Sequence, residues 1–154
     1  MTPRITSPAK AAPETYQAMM RLEQAVAECG LEHSLLELVK IRVSQINGCA
    51  YCLHMHTADA RAAGEDEVRL HLLAAWRESS LFSPRERAAL TWAESLTRIE
   101  QTQAADADYA AVKAEFSETE QVNLTFAIGA INVWNRLAVG FRSAHPAGPA
   151  HVAA

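Results

Sequence analysis

Cys49 and Cys52 are separated by two residues, and His56 follows four positions later. At about 100° per residue on a helical wheel, Cys52 lies about 60° from Cys49 and His56 about 20° from it on the other side. The three side chains therefore share one helix face. His54 falls about 140° from Cys52 and points elsewhere. Gly48 permits a tight turn directly before the pair, so the cysteines fall in the first helical turn. Free backbone N–H groups and the positive end of the helix dipole favour a thiolate there. An imidazole one turn further on can take or relay the thiol proton. Glu37 lies on the preceding helix, about 16 Å before the turn, while His56 lies about 12 Å after it. In an antiparallel hairpin the two differ by about one turn or less, so the carboxylate reaches the ring directly or through water and raises its basicity. The set reads as a dithiol, a base and a base-orienting acid.

Other uses of these residues fit less well. Cys49, Cys52, His54 and His56 are four possible zinc ligands, but one short helix cannot wrap them around a tetrahedral ion. Covalent haem attachment needs histidine directly after the CxxC, where Leu53 stands. A thioredoxin-type site needs a βαβ context, and no stretch alternates like a strand. The reading requires no metal and no cofactor.

The elements that position this site are helices. Alanine supplies 30 of 154 residues, and the predicted class is all-α in a single domain with six to seven helices. The pattern predicts helices over 13–29, 34–47, 49–64, 66–76, 84–99, 106–116 and 117–142. Pro13, the Ser83–Glu86 capping box and the Ser117–Glu120 capping box mark three starts, and Ser34 is the expected N-cap of the second helix. Residues 1–12 and 143–154 read as flexible tails around a domain at 13–142. The second helix is apolar on most sides, so neighbours or another subunit must cover it. The last helix carries Leu124, Ala127, Ile131, Trp134, Ala138 and Phe141 as a packing seam.

Composition narrows the function. Hydrophobic residues make up 49% and charged residues 21%, as in ordinary globular domains, and the net charge of −4 shows no nucleic-acid footprint. No uninterrupted apolar run reaches membrane-spanning length, and no export signal is evident, so the expected place is the cytoplasm. Three cysteines without an export signal do not read as a disulfide framework. Cys29 reads as a small core residue, and His54 and His71 as ordinary surface histidines. Trp76, Trp92 and Trp134 read as core or interface, Arg136 and Arg142 as ion-pair partners, and Asn132 and Asn135 as buried polar contacts, between subunits if not within one.

Glu37, Cys49, Cys52 and His56, with the local text Ile46-Asn47-Gly48-Cys49-Ala50-Tyr51-Cys52, resemble the Glu…CxxC…His signature of the AhpD-like alkyl hydroperoxidases. These belong to the carboxymuconolactone decarboxylase superfamily. The resemblance is strong over about residues 34–76, and Asn135-Arg136-Leu137-Ala138 also resembles single-domain members. It implies a peroxidatic Cys52, a resolving Cys49 and a Glu37–His56 proton relay. It also implies a hydroperoxide substrate, a dithiol reductant of the lipoyl type, and a homotrimer or homohexamer. The wheel alone leaves the attacking cysteine open, since the dipole favours Cys49. Tyr51 departs from the pattern, because the best-known members carry histidine there. A lactone-acting lyase without thiol chemistry and a non-catalytic redox switch are the alternative functions; superfamily decarboxylases lack the cysteine pair, which disfavours the first.

Overall fold

The computed structural model describes residues 2–145, and every regular element among them is helical. In chain order these are α1 (Pro8–Ala11), α2 (Pro13–Ala27), α3 (His33–Asn47), α4 (Ala50–Ala62), α5 (Glu67–Leu72), a 3-10 segment (Leu73–Glu78), α6 (Pro84–Thr97), α7 (Ile99–Thr102), α8 (Asp106–Glu115) and α9 (Glu118–Phe141). The seven expected helices are present with ends shifted by a few residues. The helix expected over 66–76 changes winding at Leu73, with Ala75 outside helical geometry, and Trp76 is buried there. The additional elements are the short α1 and α7.

Helix α3 organises the molecule. Leu35, Leu36, Val39 and Val43 join a core with α2, α4, α6, α8 and α9, while Leu38 and Ile41 join a second core with Leu70, Leu73, Trp76, Phe82 and Leu90. Two separate cores on one helix explain its nearly all-round apolar pattern. Its cover comes from the same chain, so this helix gives no reason to invoke another subunit. Ser34 is not its cap: α3 begins at His33, with Glu32 at the N-cap making no side-chain cap bond. The Glu32 carboxylate instead accepts from Arg85 Nε at 2.9 Å.

Both predicted capping boxes form. Ser117 Oγ accepts from Glu120 N at 3.4 Å, and the Glu120 carboxylate accepts from Ser117 N at 2.8 Å. That backbone N–H, together with the Arg85 guanidinium, holds the Glu120 carboxyl down to about 2. Ser117→Ala should therefore cost about 1 kcal/mol in urea unfolding. A change below about 0.3 kcal/mol would show that the cap carries no stability.

By length and composition α9 can cross a bilayer, with a mean hydropathy of 1.2 over 18 residues, although polar residues interrupt its apolar runs. In the fold it packs against α2, α3, α4, α6 and α8, with Leu124, Ala127, Ile128 and Ile131 buried. The N-terminal segment, read as a tail, is pinned to the end of α9: Arg4 N donates to Phe141 O at 2.9 Å, and Arg4 Nη1 to Gly140 O at 3.0 Å. Of the C-terminal tail, residues 146–154 lie outside the described residues.

Candidate active site

The site is built on one sharp turn between α3 and α4. Gly48 ends α3 in the left-handed region (φ 65°, ψ 35°), where a side chain would be strained. Gly48 N donates to Gln45 O and Cys49 N to Ser44 O at 3.0 Å, which closes the helix in a Schellman pattern. The next residue is already the N-cap of α4: Cys49 Sγ accepts from Cys52 N at 3.3 Å. Cys49 and Cys52 are joined as a disulfide, with Cα atoms 5.4 Å apart. In the reduced protein the same N–H group stabilises a Cys49 thiolate.

Helix α9 locks this turn from behind. Asn47 Nδ2 donates to Asn132 Oδ1 at 3.0 Å and to Asn135 Oδ1 at 2.9 Å, and Asn135 Nδ2 donates to Ser44 Oγ at 3.0 Å. Asn132 and Asn135 thus make contacts within the chain. Arg136, expected to pair with an acid, donates instead to Asn132 O and Oδ1, both at 2.9 Å. Arg142 ends α9 in a left-handed conformation. Asn135→Ala strands the buried Ser44 hydroxyl and leaves the half-buried Asn47 amide only Asn132 as acceptor, and should cost about 1–3 kcal/mol by urea unfolding. No loss would show that the clamp is dispensable.

The structure pairs Glu37 with His56 and Cys49 with Cys52, and it places Cys52 and His56 on one cavity. His56 Nδ1 lies 2.9 Å from Glu37 Oε2, and both residues are buried. This contact leaves His56 Nε2 for proton exchange. Burial pushes the Glu37 carboxyl up, but the His56 hydrogen bond and the charges of His56, Lys40 and His33 prevail and hold it below the ordinary glutamate value. Lys40 Nζ lies 3.5 Å from Glu37 Oε1 and 2.7 Å from Glu23 Oε1. The sequence puts Lys40 beside Glu37 as a salt-bridge neighbour on the same helix, but it does not point to Glu23. The i, i+3 spacing of Glu37 and Lys40 was the available signal, whereas nothing local links Glu23 to them.

A cavity of about 650 Å³ opens over Cys52 and His56. Cys49 is not on its lining; Tyr51, Met55, Tyr16, Met20 and Trp134 supply an apolar wall. Trp134 is therefore at the cavity rather than purely in the core, and it donates to Glu23 Oε2 at 3.2 Å. The N-terminal segment from Pro3 to Ala9 lines another side. Tyr51, where a histidine was expected, adds an aromatic surface. Cys29 is a free thiol beside the core just beyond α2, and His54 is exposed and stacked on His145. Among the described residues, the donor set able to hold an ion is Glu37, His56 and Asp59, within 4.8 Å of one another. The Lys40 ammonium beside Glu37 opposes a cation there.

Carboxylates held low here and elsewhere make stability fall in acid. The folded values of Glu37, Glu86 and Glu94 lie below the ordinary 4.5, so their stabilisation is full above that pH and is lost as pH falls through the folded values. The melting temperature should drop from pH 5 to pH 3; a rise would contradict the assignment.

An all-helical fold with a dithiol at a helix start and a buried Glu–His pair behind it defines a class of protein, and comparison with known proteins agrees. The Carboxymuconolactone decarboxylase family model matches residues 13–95. The chain belongs to that family, on its AhpD-like branch. It is 43% identical over 128 residues to the uncharacterised protein YdfG of Bacillus subtilis (strain 168), covering 83% of this chain and 87% of that one. A solved protein of unknown function from Agrobacterium tumefaciens, proposed as the antioxidant defence protein AhpD, is 47% identical. It superposes with a TM-score of 0.91 over 95% of this chain and 99% of its own. An uncharacterised peroxidase-related protein from Silicibacter sp. TM1040 is 25% identical, with a TM-score of 0.77 over 87% of this chain and 71% of its own.

Proposed function

We propose that the protein is a thiol-dependent hydroperoxidase in which Cys52 attacks and Cys49 resolves. The observation that carries this reading is the placement of Cys52 and His56 on one apolar cavity, with Cys49 behind Cys52 at the helix cap. His56, oriented by Glu37, takes the Cys52 proton. The thiolate attacks one oxygen of the hydroperoxide, the O–O bond breaks, and the alcohol leaves with that proton. Cys52 becomes a sulfenic acid, Cys49 displaces water from it, and the disulfide forms. An external dithiol of the lipoyl type then reduces the pair and is itself oxidised. The apolar wall favours an organic hydroperoxide over hydrogen peroxide.

Steady-state turnover of an aromatic hydroperoxide with dihydrolipoamide tests this. Catalytic consumption that disappears in the Cys49→Ser/Cys52→Ser double variant is expected. Full turnover in that variant would overturn the reading and favour a thiol-independent enzyme.

Self-association belongs to the same proposal. Val122, Phe126 and Val133 share one face of α9 and are 54%, 55% and 39% exposed. Burying this stripe in a homotrimer or homohexamer removes it from water. Light scattering should give a mass well above 16.8 kDa; that monomer mass alone would contradict it.

A further inference from the structure

We propose that Lys40 and Glu23 are positioning residues that set the protonation balance of the Glu37–His56 pair, as a built-in pair of opposing charges beside the cavity. This rests on the relay reading above. Four side chains from three helices form one line: Glu23 of α2, Lys40 and Glu37 of α3, and His56 of α4. The contacts are 2.7 Å, 3.5 Å and 2.9 Å in turn. The two ends, Glu23 and His56, both reach the cavity, while Lys40 is 8% and Glu37 4% exposed. Helix α9 fixes the outer end, since Trp134 Nε1 donates to Glu23.

A buried lysine between two carboxylates has a definite electrostatic consequence. With His56 neutral, the line carries one net negative charge; with His56 protonated, it is balanced. Lys40 therefore opposes protonation of His56 and of Glu37, keeping the imidazole available as a base. Glu23 moderates Lys40 by neutralising it from the other side. Other ionisable groups stand around the pair: Asp59 on α4, His33 on α3, and Glu65 and Arg69 beside Glu37 on its far side. Arg69 is already engaged by Glu65 and Glu86. Tyr16 and Tyr51 face the cavity. Lys40 is the cation in contact with both Glu23 and Glu37.

Charge and structure predict different outcomes. Removing Lys40's charge raises the pH needed to free the base, whereas removing Glu23's charge lowers it. The experiment follows alkylation of the reduced pair by iodoacetamide from pH 5 to 9 in a Cys29→Ser background, with the modified cysteine assigned by peptide mass. It needs no peroxide, so it stands apart from the turnover assay. Lys40→Met should move the midpoint up by about 0.5–1.5 pH units and Glu23→Gln down by a smaller amount. Lys40→Arg should restore the wild-type midpoint, and Glu23→Gln/Lys40→Met should fall between the two single variants. Shifts of the same sign overturn the proposal. So do unmoved midpoints where His56→Asn moves its own. If His56→Asn leaves the profile unchanged, the relay reading fails and this proposal fails with it. Should Lys40→Met not fold, Glu23→Gln and Lys40→Arg still decide: a downward shift and a wild-type midpoint support the proposal, and any other pair of results overturns it.

Discussion

Cys52→Ser should lower the rate of hydroperoxide consumption by at least about 10³-fold, while Cys49→Ser should keep the first attack and lose recycling through the disulfide. The difference follows from placement. Cys52 lines the cavity, and Cys49 sits behind it as the helix cap, with its sulfur accepting from Cys52 N. A lone Cys52 can still become a sulfenic acid and consume one equivalent of peroxide. A lone Cys49 holds a stabilised thiolate with no cavity to receive the peroxide. Stopped-flow mixing of each reduced variant with an organic hydroperoxide reads this in one turnover. The opposite pattern would assign the attack to Cys49, as the helix dipole alone suggests. Wild-type rates in both variants would remove the thiols from the chemistry.

Glu94→Ala should cost about 3–5 kcal/mol, the largest single-site loss expected outside the apolar core. Glu94 is 7% exposed and binds three donors from two elements: Arg42 Nε of α3 at 2.7 Å, and Trp76 Nε1 at 2.9 Å and Arg77 Nη1 of the 3-10 segment. Burial raises its carboxyl, but the three donors outweigh it and keep the group ionised. Removing the carboxylate strands the Arg42 charge and the Trp76 N–H in low dielectric. At this chain length the loss corresponds to a drop of about 6–20 °C in melting temperature. Arg77 has a side chain 53% exposed, so Arg77→Ala should cost less than about 1 kcal/mol. Urea unfolding of both variants checks the pair. A Glu94→Ala loss below about 1 kcal/mol would show that the three donors find other partners.

Local signals made the site readable before the fold. The helical phase of Cys49, Cys52 and His56, with Gly48 before them, carried the geometry of α4. The distance of Glu37 from the turn carried its meeting with His56, which the structure gives as a direct contact. Both capping boxes formed because they depend on residues three apart. What escaped the sequence depends on tertiary contact. Ser34 lost its capping role because the N-cap falls two residues earlier, at Glu32, which is engaged by Arg85 on α6. Arg136 found a carbonyl and an amide in its own helix rather than an acid. Lys40 and Glu23 meet only because α2 crosses α3, and no local pattern encodes that crossing. The apolar character of α3 was visible, but its cause was not. Two cores within one chain and burial against a second subunit leave the same pattern in a sequence.

In the proposed reaction the Cys49–Cys52 pair delivers two electrons to a hydroperoxide. Mass spectrometry of the reduced protein after one equivalent of an aromatic hydroperoxide, with the released alcohol quantified, tests it most directly. One equivalent of alcohol, the loss of two hydrogens from the protein and a Cys49–Cys52 disulfide are expected, with Cys29 still a free thiol. Unconsumed peroxide beside an unchanged dithiol would contradict it.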